Sequence, residues 1–313
     1  MNLPQTIDGA VRLDHLGVLR ASGAEAQKFL HSQLTNDMLG LDAGSARLAG
    51  FCSAKGRLQA SFVAWKQAED EVLLVCSASV LAATRKRLAM FILRSKCKLV
   101  EVGAELHLFG LAGATAQALV GDAPAWRRLD HDGATLVVLP DAAGVRRCLW
   151  LGPSAQAQPP AAAALALDTW RWLEVQSGLP LIEAGTVDQF VPQMVNFETV
   201  GGVDFQKGCY PGQEVVARSQ YRGSVKRRAF LFDVDGTAAA PGQEVFHDAD
   251  PQQPAGMVVN AAPRPDGGGS SVLVEVKLAS LDRGGLHLGD AAGPALRRAA
   301  LPYLLPLDAA LPA

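Results

Sequence analysis

The chain has 313 residues, is 49% hydrophobic and carries a formal net charge of −2. That length suffices for two or three domains with buried cores, and the near-neutral balance argues against a protein that holds nucleic acid or membrane through its overall charge. No apolar run reaches membrane-spanning length, since the stretch from Ala161 to Leu173 is cut by Asp168 and Arg171. Met1 to Gln5 lacks the basic and apolar regions of a secretion signal. The cysteines at 52, 76, 97, 148 and 209 include no Cys-x-x-Cys pair. This argues against a disulfide framework, a zinc site or an iron–sulfur cluster held by this chain alone, and it fits a reducing cytoplasm.

In chain order, Val11 to Arg20 reads as a strand pair or strand–turn. Ala24 to Leu34 has apolar residues at helical spacing, with Ser22 as a plausible N-cap. Arg47–Cys52 and Leu58–Ala64 read as neighbouring strands and Glu71–Cys76 as a buried one. Ala78–Phe91 is an amphipathic helix whose solvated side carries Arg85, Lys86 and Arg87. Strands are expected at Lys98–Val102, Leu106–Leu111, Ala134–Leu139 and Arg146–Leu151, with a short helix at Thr115–Leu119. This alternation points to an α+β fold rather than a bundle. Gly152 to Ala164, rich in Pro, Ala and Gln, reads as a linker or exposed loop. Asp168–Gln176 is a helix stopped by Ser177-Gly178-Leu179-Pro180. From Ala229 onward short strands alternate with Asp-Gly, Pro-Gly and Gly-Gly turns, the pattern of a small β-barrel.

The densest chemical signal is Phe205-Gln206-Lys207-Gly208-Cys209-Tyr210-Pro211-Gly212-Gln213-Glu214. Pro211 and Gly212 break the chain before a helical pattern, which puts Cys209 in a tight loop ahead of a helix N-terminus. Exposed N–H groups there favour an anion, and Lys207 adds a positive charge, so the arrangement would activate the thiol. The other reading is that the glycines make a turn and Cys209 is a small buried hydrophobe. Arg218, Arg222, Lys226, Arg227 and Arg228 follow as the one basic concentration, either a solvated face or an anion site.

Lys-Gly-Cys-Tyr-Pro-Gly-Gln-Glu with Val-Val-Ala-Arg after it resembles the signature of the YgfZ family. So do Phe190 to Asn196, Gly201-Gly202-Val203, Phe29 to Asp37 and Cys52 to Arg57. These are folate-binding relatives of the glycine-cleavage T-protein, linked to iron–sulfur cluster maintenance and tRNA modification. The resemblance implies a three-part cloverleaf with a C-terminal β-barrel and a tetrahydrofolate or derivative in its central opening. It divides the chain into a folate-binding core from 1–50 plus 160–228, an interleaved α+β part at 51–152 and the barrel at 229–313. A pterin pocket needs apolar walls and a few placed polar groups. Trp170 and Trp172 stand two apart on one helix and cannot share a face; the family's spacing from Gly178 assigns Trp172 to the pocket. Leu16 matches a place where the family can carry a second aromatic, so one stacking wall is expected to be missing. Asn196, Tyr210, Gln213 and Glu214 are further implied contacts, and Arg218, Arg222 and Lys226 are expected to hold the glutamate tail.

The T-protein has an acidic pair after a glycine, one member of which is catalytic. The matching place reads Gly56-Arg57-Leu58-Gln59-Ala60, without a carboxylate. The expectation is therefore a folate-binding accessory protein for iron–sulfur client enzymes, including those that modify tRNA, with Cys209 and Lys207 as its candidate chemical residues. A folate-dependent one-carbon transferase is the alternative and would need a carboxylate from elsewhere in the chain. A direct RNA-binding modification factor is weaker, because the charge balance and the single basic cluster argue against tRNA contact. His15 and His31 read as ordinary polar residues without metal-ligand spacing.

Overall fold

The computed structural model describes residues 7–155, 159, 162–221 and 225–306. β1 (Gly9–Arg12) and β2 (Leu16–Ser22) lead into helix α1 (Ala26–Gln33), then β3 (Ala46–Cys52), β4 (Leu58–Ala68), β5 (Glu71–Ser77), α2 (Ala78–Ala89) and β6 (Lys98–Glu101). β7 (Leu106–Ala112), α3 (Gly113–Val120), β8 (Arg128–His131), β9 (Ala134–Ala142), β10 (Val145–Pro153) and α4 (Leu167–Gln176) follow. After α5 (Gln213–Tyr221) come β11 (Arg227–Asp235), β12 (Glu244–His247), β13 (Gly256–Pro263), β14 (Gly269–Lys277), β15 (Leu286–Leu288) and β16 (Leu296–Ala299).

The strands form three antiparallel sheets, in the orders β3-β4-β5-β2-β6, β1-β7-β10-β9-β8 and β15-β12-β13-β14-β11-β16. β1 belongs to the second sheet, so the chain leaves that sheet for the first and then returns. The division expected at residue 50 lies within β3. In the third sheet a bridge between His287 and Ala295 draws the two edge strands together, giving a nearly closed barrel.

β5 is buried on both faces, which explains its unbroken apolar run. Val72, Leu74 and Cys76 pack toward α1 and α2, while Leu73 and Val75 join Trp65 and strands of the second sheet. α4 is the splice between the second sheet and the barrel. Trp170 lies so close to β7 that a side chain at Gly110 would come within 2.6 Å of its indole. On the other side of the helix, Trp172 Nε1 donates to Ser271 Oγ of β14 at 3.1 Å. A two-residue spacing thus gives opposite faces and two docking partners.

Some local readings needed correction. Glu25, not Ser22, is the N-cap of α1, and it makes no side-chain capping bond. Its carboxylate is taken instead by the Lys96 N–H at 2.7 Å. β8 and β15 were not anticipated: one is half charged and the other three residues long, so neither shows the alternation of a longer strand. Part of the linker expected at 152–164 lies outside the described residues.

Candidate functional site

The first two sheets and α4 leave a cleft between them. Its walls come from the first sheet (Leu16, Val63, Val75), the second (Leu139, Arg147, Leu149), and α4 with its following loop (Glu174, Leu179, Leu181). The loop is fixed from the barrel. Asn260 Oδ1 accepts from the Leu181 N–H at 2.9 Å and its Nδ2 donates to the Leu181 carbonyl at 2.7 Å. A single amide side chain thereby mimics a strand partner.

Two charged groups stand in this apolar setting. Arg147 is 1% exposed. Its Nε donates to Pro140 O at 3.0 Å and its guanidinium lies 5.7 Å from the Trp170 ring centroid. Among the described residues its two terminal nitrogens have no hydrogen-bond acceptor. Burial pulls its pKa down to about 10, against the opposing pull of Glu174. Glu174 Oε1 accepts from Trp170 Nε1 at 2.9 Å, and Glu174 Oε2 lies 2.9 Å from His15 Nε2. A carboxylate only accepts, so His15 donates from Nε2 to Glu174. The His15 Nδ1 is buried without a partner among the described residues. A contiguous smaller lobe adds Arg171 and Glu183, whose carboxyl is held up by burial.

The cleft therefore offers donors from Arg147, acceptors from Glu174, and apolar faces, the polar complement of a flat heterocycle with an amide-like edge. Its open volume is about 80 Å³, below the range of about 300–1,000 Å³ usual for ligand sites. A ring would enter by displacing wall side chains.

Of the expected pocket residues, Leu16 stands on the cleft wall. Trp172 is not on it; its indole is engaged with the barrel. Asn196 is fully buried in left-handed backbone (φ 58°) and ties the chain to the barrel through Ala229 O at 2.7 Å and the Tyr303 hydroxyl at 3.2 Å. Glu214 and Arg218 are exposed and pair with each other at 2.7 Å along α5. Gln213 opens that helix away from the cleft lining. Arg222 lies outside the described residues. The basic concentration does not form one face: Lys226 is exposed, Arg227 pairs with Glu275, and Arg228 is buried against Glu198.

The Lys-Gly-Cys-Tyr loop forms a separate centre. Cys209 is exposed, not a buried hydrophobe. Lys207 Nζ donates to the carbonyls of His31 and Leu34, the latter at 2.8 Å. These are orphan acceptors at the end of α1, so the lysine is a C-terminal cap. It also sits 4.8 Å from the ring centroid of Tyr210, which is buried beneath it. Burial lowers its pKa to about 8. His31 Nδ1 lies 2.9 Å from Asp37 Oδ1, and a side chain at Gly208 would come within 3.4 Å of His31 Nε2. Burial works against ionisation of Asp37, but the Gly40 N–H and Arg47 hold it below the usual carboxylate range. Gly212 (φ 80°) and Gly56 (φ 69°) interlock, with no space for a β-carbon at Gly212, which would meet Ser53 O at 2.3 Å. Two stretches more than 150 residues apart in sequence thus meet.

Sequence reasoning missed His15, Arg147 and Trp170. A signal existed for Arg147, which shares strand parity with Leu149 and Leu151 and so places a cation on an inward face. His15 gave none, because its partner Glu174 is 159 residues away.

Comparison with known proteins agrees with this architecture. Residues 8–133 match the model of the GCVT N-terminal domain. The tRNA-modifying protein YgfZ of Edwardsiella ictaluri is 33% identical over 253 residues, covering 73% of this chain and 71% of the relative. Those of Serratia proteamaculans and Sodalis glossinidius are 30% and 29% identical, each covering 97% of this chain and 94% of the relative. The crystal structure of glycine cleavage system aminomethyltransferase T from Bartonella henselae superposes with a TM-score of 0.72 at 15% identity, covering 96% of this chain and 87% of that one. That likeness confirms the expected three-part fold with its C-terminal barrel.

Proposed function

Since this chain belongs to the YgfZ family, we propose that it is a folate-binding accessory protein that supports iron–sulfur clusters in client enzymes, among them enzymes that modify tRNA. The observation that carries the reading is the central cleft, where a buried, incompletely bonded Arg147 faces a Glu174 held by Trp170 and His15. Glu174 would accept the amino and ring N–H groups of a pterin, Arg147 would donate to its carbonyl oxygen, and Leu16, Val75 and Leu149 would cover its faces. Arg171, in the outer lobe, would take a carboxylate of the glutamate tail. Tetrahydrofolate, when bound, supplies a carrier for one-carbon units.

Cys209, exposed above the Lys207 anchor, is the group in the signature loop that is free to react with a client. The protein works in the cytoplasm and acts through its clients rather than on RNA. The one-carbon transferase reading gains one point, because Glu174 puts a carboxylate in the cleft. Glu174 is engaged by Trp170 and His15, however, which suits it to orienting a ring rather than moving a proton.

The test is made in cells lacking the gene. Thiolated tRNA nucleosides are quantified by mass spectrometry with wild type, Glu174→Gln or Cys209→Ala supplied back. Restoration by wild type and not by either variant is expected; full restoration by both would sink the proposal.

A further inference from the structure

A second concavity is larger than the central cleft. It lies between α2, β4 and residues 184–187, and its volume is about 430 Å³, within the usual range for small-molecule sites. Phe51, Val80, Met90 and Val187 give it apolar walls, and Lys86 and Arg87 stand at its rim. Both cations are exposed, and neither has an ion-pair partner among the described residues. The loop wall is pinned to α2 by the Ala184 N–H, which donates to Ser79 Oγ at 3.1 Å.

The floor holds a buried polar group with an unmet bond. The pairing of β3 with β4 slips between Phe51 and Cys52, whose partners are Ala60 and Leu58, leaving Gln59 as the extra residue of a bulge. Bulges re-aim side chains. Gln59 is 9% exposed and lines the groove. Its Nε2 donates to Asp188 Oδ2 at 3.0 Å, which fixes the amide's orientation, since a carboxylate cannot donate. Its Oε1 is then a buried acceptor with no donor among the described residues. Leaving such an atom unpaired is unfavourable, so an N–H or O–H group that reaches it gains a hydrogen bond.

We propose that this groove is a second binding site, separate from the central cleft, for a small flat heterocycle that carries an N–H donor at one end and an anionic tail at the other. The ring lies between Phe51, Val80 and Val187, its amino group donates to Gln59 Oε1, and its acid group meets Lys86 and Arg87. Charge complementarity selects the anion: among the described residues no carboxylate lines the groove. Nucleoside monophosphates and pteridines with a carboxylate tail share this chemistry.

Calorimetric titrations of the full chain with AMP, GMP and folic acid separate the two sources. Saturable binding of at least one probe is expected. Gln59→Leu should weaken it about tenfold or more, the cost of one lost hydrogen bond in a buried site, and Lys86→Ala with Arg87→Ala should weaken it and flatten its salt dependence. Ala83→Trp, on the exposed side of α2, should block the groove while leaving the core intact. Glu174→Gln should leave this binding in place. The inference is overturned if no probe binds saturably, or if binding ignores both Gln59→Leu and Ala83→Trp.

Discussion

Lys207 stands two residues from Cys209, yet its ammonium group bonds the carbonyls of His31 and Leu34. Lys207→Met should therefore cost about 1–3 kcal/mol of stability in denaturant unfolding, because two backbone acceptors lose their donor. The effect has a pH signature. Burial lowers this group from 10.5 to about 8, so within that window the unfolded chain holds the extra proton. The penalty is complete below pH 8 and is relieved as pH rises toward 10.5. The difference in stability between wild type and Lys207→Met should grow across that window, by at most about 1.4 kcal/mol per pH unit. A difference that shrinks there would contradict the assignment. Gly212 makes the second residue-scale case. Its φ of 80° and the 2.3 Å approach of Ser53 O leave no place for a methyl group. Gly212→Ala should cost more than about 1 kcal/mol, read as a lowered unfolding midpoint.

At the scale of elements, α4 joins the second sheet to the barrel through tryptophans on opposite faces, and the two should fail differently on substitution. Trp172→Phe removes the bond to Ser271 and should cost about 1 kcal/mol of stability while leaving the cleft intact. Trp170→Phe removes the donor that aims Glu174 and should weaken folate binding about tenfold. The reverse pattern would return the pocket role to Trp172. Spacing from Gly178 pointed to Trp172, but the face each indole occupies depends on where the barrel sits. That placement is long-range information which helical periodicity does not contain. Strands with strong alternation were legible for the same reason that β8 and β15 were not: burial on one face leaves a pattern only when the strand is long enough to repeat it.

At the scale of the whole molecule, the buried pair of Arg228 with Glu198 shows why a basic run in sequence is not a basic surface. Successive residues of β11 point to opposite faces, so Arg227 and Arg228 take different partners. Burial pushes the Glu198 carboxyl up, against the opposing pull of Arg228. Glu198→Gln should cost about 3–5 kcal/mol, since it strands a buried guanidinium, and thermal unfolding would show it. The signature loop was legible as a motif because its residues are contiguous. The cleft was legible at Leu16 and on the helix that carries Glu174, but not as a whole, because His15, Arg147 and Glu174 come from three separate elements that the fold brings together. Folate binding at the cleft depends on that convergence. Its most direct measurement is a tetrahydrofolate titration of wild type beside Glu174→Gln and Cys209→Ala. Saturable binding by wild type and Cys209→Ala, weakened about tenfold or more in a folded Glu174→Gln, is the predicted result. No binding by wild type, or equal binding by Glu174→Gln, would contradict the claim that the central cleft holds folate.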